Sequence, residues 1–104
     1  MDLHPTDINS QETAREEQRQ RVQLAARTEV DDIKWLMSSK RGRRIVHRIL
    51  DGAGVYRISF HTNALQMAFN EGNRNQGNAL LATVTTHCPD RYIELLNEAK
   101  TNEQ

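Results

Sequence analysis

Apolar residues enter this chain late, and where they appear they recur at helical spacing. Val22, Ala26, Val30, Ile33 and Met37 stand four, four, three and four apart with Leu36 beside them, one stripe on one helical face. Ile45, Val46, Ile49 and Leu50 follow within about 140° of arc at 100° per residue. Leu65, Ala68, Phe69 and Gly72 fall at i, i+3, i+4 and i+7, and the register continues through Gln76, Ala79, Leu80 and Thr83. Tyr92, Leu95, Leu96 and Ala99 make the last stripe. The only alternating run, Val55, Tyr56, Ile58 and Phe60, has no second strand to pair with, so residues 55–61 read as an irregular, largely buried connector. The pattern predicts an all-α fold, a small bundle of about four helices with a charged, extended helix at the amino end.

Punctuation residues place the boundaries. Residues 1–10 carry Pro5, two aspartates and small hydroxyl residues and predict a mobile tail. Asn9 with Glu12 has capping-box spacing, and so do Thr28 and Asp31, so a helix is expected from Asn9 with a break or kink near Thr28. The first helix has little to bury: Glu12, Arg15, Glu16, Arg19 and Arg21 supply only i,i+3 and i,i+4 pairs. It is either a solvated helix or an arm lying on another subunit. We divide the chain into a charged arm, 1–27, and a helical domain, 28–101. The stretch 38–42 is expected to end the Met37 helix, with Trp35 a core or core-edge anchor beside its stripe. Asp51-Gly52-Ala53-Gly54 stops the next helix, Thr62 is the expected cap of the third, and Pro89 takes the first position of the last. With the connector turning the chain, Phe60, Leu65 and Phe69 are expected to close over the apolar side of the helix at 43–50. Residues 100–104 are expected to fray.

Composition sharpens this in two ways. In 104 residues, 37% are hydrophobic and 27% charged, which predicts one small domain with a thin core that a partner completes. Lys+Arg and Asp+Glu are each 14, so a globally basic nucleic-acid binder is excluded and only local patches remain. A lone cysteine, Cys88, cannot form an intramolecular disulfide and fits a reducing compartment. There is no signal-peptide pattern and no apolar run of about eighteen residues, so a soluble, uncleaved protein without a membrane span is expected.

Two stretches are candidates for function. Lys40, Arg41, Arg43, Arg44, His47 and Arg48 occupy the arc opposite the apolar one if the helix extends back through Gly42, giving a basic face suited to phosphates or an acidic protein surface. The competing reading is a solvated face partly neutralised by Glu29, Asp31 and Asp32. The second is the polar, glycine-bearing middle of the third helix, with Asn70, Glu71, Gly72, Arg74 and Asn75. Two glycines there each cost about 1 kcal/mol against alanine, so either a close crossing at Gly72 or Gly77 justifies them or a loop splits the helix; the continuous register favours one helix. Glu71 and Arg74 then make an i,i+3 pair, a packing or subunit contact rather than an active site. The four histidines and Cys88 lack metal-ligand spacing, so no metal, cofactor or catalytic residue is expected.

These residues also carry a resemblance. Trp35-Leu36-Met37, Gly42-Arg43-Arg44, the run Ala53-Gly54-Val55-Tyr56-Arg57 with Ser59-Phe60, and Ala68-Phe69-Asn70-Glu71-Gly72 with Arg74-Asn75 and Gly77 are similar to a family of small proteins. That family is encoded in the head-morphogenesis region of short-tailed bacteriophages, one of them a Bordetella phage; Cys88-Pro89 and Tyr92 continue the match, which spans about residues 35–99. The resemblance implies a non-enzymatic virion-associated structural protein, present in the particle and in host cytoplasm during assembly. It implies docking on phage head or portal proteins, oligomeric in the virion and near packaged DNA. The alternative it leaves is a DNA-binding accessory in genome packaging or regulation.

Overall fold

The computed structural model describes residues 5–57 and 62–102. Four helices account for nearly all of them: α1, Pro5–Met37; α2, Lys40–Gly52; α3, Ala64–His87; and α4, Pro89–Asn102. No strand occurs among the described residues, as the periodicity predicts. Residues 58–61 of the expected connector, Phe60 included, lie outside the described residues.

The chain divides into two units, Met1–Asp31 and Asp32–Gln104, with the division inside α1. The described part of the first unit is helix alone. It starts at Pro5, ahead of the expected Asn9 cap, and the Thr13 hydroxyl donates to the Asn9 carbonyl at 2.9 Å, as in any helix interior. Thr28 likewise donates to the Leu24 carbonyl at 2.9 Å, so it does not break the helix. The Thr28 hydroxyl satisfies itself one turn back along an unbroken helix, which is the competing role that capping-box spacing cannot exclude. Every side chain from 7 to 29 is exposed, including Val22, so the apolar stripe buries nothing that early.

In the second unit α2 packs most extensively on α4, and α3 rests against both. Met37, Val46, Leu50, Val84, Cys88 and Leu95 form the buried core, with Ile33, Leu36, Val55, Leu80, Leu81 and Tyr92 packed around it. Trp35 is not an anchor: it is 77% exposed, on the side of α1 away from Met37. α1 ends at Met37, and Ser39, in extended conformation (φ −114°, ψ 152°), caps α2 by accepting the Gly42 amide at 3.0 Å. The break therefore lies at residues 38–39, and Gly42 is inside α2. A Cβ there would stand 1.7 Å from the Leu36 carbonyl oxygen, so only glycine lets the end of α1 sit on α2.

Gly54 takes the left-handed φ of 79° in the turn after α2. Asn63, not Thr62, caps α3: its Oδ1 accepts the Leu65 and Gln66 amides at 2.9 and 3.1 Å. α3 is one helix through its polar middle. Its close approach is at Gly77, where a Cβ would fall 2.5 Å from Val55 Cγ2 and 2.7 Å from Ala53 Cβ, while Gly72 has open space. Leu65 and Phe69 do not close over α2; they are 83% and 64% exposed. Pro89 opens α4 as expected, and α4 is helical to Asn102; residues 103–104 of the expected frayed end lie outside the described residues. Among the described residues no helix is long and apolar enough to cross a membrane.

Candidate functional site

α2 is where sequence chemistry and structure meet, and it has two unlike sides. Gly42, Arg43, Val46 and Leu50 are buried, an arc rotated by about 45° from the one formed by Ile45, Val46, Ile49 and Leu50. Ile45 and Ile49 are left 39% and 50% exposed. Arg43 is part of the rotated arc. Expected on the outward basic face, it is instead 8% exposed, with Nη1 donating to the Met37 carbonyl at 2.9 Å and Nε to Glu98 Oε1 at 2.5 Å. Its Nη2 lies 3.4 Å from Glu94 Oε2. One guanidinium thus closes the carboxyl end of α1, where the helix dipole favours a cation, and ties it through α2 to two acids one turn apart on α4.

Lys40, Arg41, Arg44 and Arg48 do face outward, within about 100° of arc, and all are exposed. None has an acidic partner among the described residues. Every other arginine of the second unit has one: Arg43 as above, Arg57 with Asp51 (4.0 Å), Arg74 with Glu71 (3.5 Å) and Arg91 with Glu94 (3.0 Å). Asp32, in the same unit, makes no ion pair among the described residues. His47 stands at the edge of that arc, beside Lys40. It is half-buried, its ring stacked on Tyr56 at 6.0 Å between centroids and 24° between planes, and the Tyr56 hydroxyl shares a 2.9 Å hydrogen bond with that of Tyr92. Between α2 and α4 a cleft of about 40 Å³ is lined by Lys40, Arg44, His47 and Glu98, among others, enough for a few waters.

The α3 candidates are only partly brought together. Asn70, Glu71 and Arg74 are half-buried, and Asn70 Oδ1 accepts from Gln66 Nε2 at 3.0 Å. Arg74 Nη1 reaches Glu71 while its Nε is buried without a hydrogen-bond partner. Gly72 and Asn75 point to solvent. No cluster of three or more histidine, cysteine or acidic side chains suited to a metal occurs among the described residues. Sequence reasoning missed Glu94 and Glu98 as partners of Arg43. Their i,i+4 spacing on α4 was the available signal, because two acids one turn apart suit a single guanidinium.

Comparison with known proteins bears on the second unit of the chain. No curated protein and no solved structure matches it. Residues 33–97 match the family described as Bbp19-like phage protein, a span that starts just inside the second unit and takes in α2, α3 and most of α4. That match covers more than half of the 104 residues, and the chain belongs to the Bbp19-like phage protein family.

Proposed function

We propose that this phage protein is a non-enzymatic structural component of the virion, docking on head or portal proteins as one of several copies per particle. The reading is carried by the family match over the second unit, joined to what that unit leaves open. The amino half of α3 holds Leu65 and Phe69 in water, and α2 presents cations that its own described residues do not neutralise. Exposed apolar and unpaired charged side chains on so small a core fit a protein whose burial is completed by assembly. Mass spectrometry of purified virions tests it: the chain should be present in mature particles at several copies. Its absence from particles, with abundance in infected cells, would sink the proposal.

A second reading has its own support. Arg41, Arg44 and Arg48 lie within about 60° of arc and span roughly 10 Å of helix, a stripe that suits a phosphate backbone in a packaging or regulatory accessory. Mobility shift of a DNA duplex over a salt series decides it. No retardation at low salt removes this reading, and retardation lost on changing the three arginines to alanine supports it.

A further inference from the structure

We propose that the cleft between α2 and α4 is a binding site for a single phosphate dianion, either free phosphate or the terminal phosphate monoester of a larger molecule. The site needs neither reading above, since such a cleft can serve a protein that never docks in a particle or grips a DNA backbone. The first argument is convergence. Lys40, Arg44 and His47 recur at i, i+4 and i+7 within about 60° of arc, on the edge of the cationic face turned towards α4, and all three line the cleft with Leu95, Glu98 and Ala99. Arg41 and Arg48 lie farther round α2 and do not line it. The second argument is charge. Arg43 also lines the cleft, but it engages Glu98 at 2.5 Å and Glu94 at 3.4 Å, and Arg91 engages Glu94 at 3.0 Å, so these four side chains cancel. Lys40 and Arg44 are left over, without an acidic partner among the described residues, and supply two positive charges. A phosphate monoester carries about −1.5 to −2 at neutral pH, whereas a carboxylate or one phosphodiester carries about −1, so the cleft matches the dianion.

The third argument is room and surroundings. At about 40 Å³ the cleft holds a few waters, the space that the oxygens of one tetrahedral anion take, and it is too small to enclose a base or a sugar. Leu95, which is buried, and Ala99 give it an apolar wall on the α4 side, and charges brought together beside such a wall are screened less than in open water. His47 is held by its stack on Tyr56, so an imidazole N–H donor is fixed at the cleft, while the longer Lys40 and Arg44 reach the same space from the turns before it. Donors set a turn apart along one helix suit a tetrahedral group, which offers acceptors on every side.

An amide-resolved NMR titration of the full chain with sodium phosphate, run beside sodium chloride at matched ionic strength, tests this. Phosphate should shift the amides of residues 40–47 and 95–99 saturably, with a Kd on the order of 1 mM, and chloride should not. K40Q/R44Q should weaken binding about tenfold or more, and His47→Phe, which keeps a ring against Tyr56 and removes the donor, about threefold or more. R41Q/R48Q should stay within about threefold of the wild type, and both glutamine pairs should keep its thermal midpoint. A short oligonucleotide bearing a terminal phosphate then separates the two sources. Displacement of free phosphate from the same amides assigns the cleft to a chain-end monoester as well, and no displacement assigns it to free phosphate alone. The proposal is overturned by the absence of saturable shifts up to about 50 mM phosphate, by an equal response to chloride, or by K40Q/R44Q and R41Q/R48Q lowering affinity equally or not at all. It is equally overturned if an oligonucleotide with a terminal hydroxyl competes as well as its phosphorylated counterpart, which assigns the cleft to the diester backbone.

Discussion

Arg41, Arg43, Arg44 and Arg48 sit within eight residues of one helix and meet opposite fates. Arg43 is sunk between three helices, with the Met37 carbonyl and the Glu98 and Glu94 carboxylates around it, while the other three stand in water without an acid. Residue type and local sequence are nearly the same. The difference is set by what α1 and α4 bring to each side, and it teaches that one helix can carry the joint of the fold and its outward charge at once.

Arg43→Ala attacks the inward side and should have the largest effect. It strands Glu98, whose side chain is 23% exposed, and uncovers the end of α1, and removing one partner of a largely buried pair costs about 3–5 kcal/mol. Urea unfolding of the variant should show that loss, and a change below about 1 kcal/mol would mean that the guanidinium is not the joint described here. The glycines of α3 give the same contrast at intermediate size. Gly77→Ala pushes a methyl group into Ala53 and Val55 and should cost about 1–3 kcal/mol, whereas Gly72→Ala meets nothing and should stabilise by up to about 1 kcal/mol. Paired thermal melts check both signs. The smallest effect belongs to the outward side: Arg41→Ala, Arg44→Ala and Arg48→Ala should each leave stability within about 0.5 kcal/mol. A larger loss at any of the three would place that residue in the fold rather than on its surface.

The sequence carried the helices well. Four apolar stripes at helical spacing, the Gly54 turn, Pro89 at the head of α4 and the unbroken α3 are local properties, set by backbone preference and by which side chains share a face. The errors came where a distant element decides. Arg43 reads as one more cation in a basic run, and only Glu98, fifty-five positions away, turns it inward. Leu65 and Phe69 have core spacing, but periodicity cannot say whether another element arrives to cover the face they share, and among the described residues none does. Trp35 fails in the same way. Thr62 and Asn63 are both good caps by type, and choosing between them turns on one residue of helix start, below the resolution of any pattern.

Cys88 has one more use. It is the sole thiol, it closes α3 where α4 begins, and it is 9% exposed, with burial pushing its ionisation upward and so holding it in the protonated, unreactive form. An alkylating reagent can therefore reach it chiefly when the corner between the two helices opens. The chain contains a single built-in clock for that opening: its modification rate reads out how often the smallest joint in the bundle comes apart.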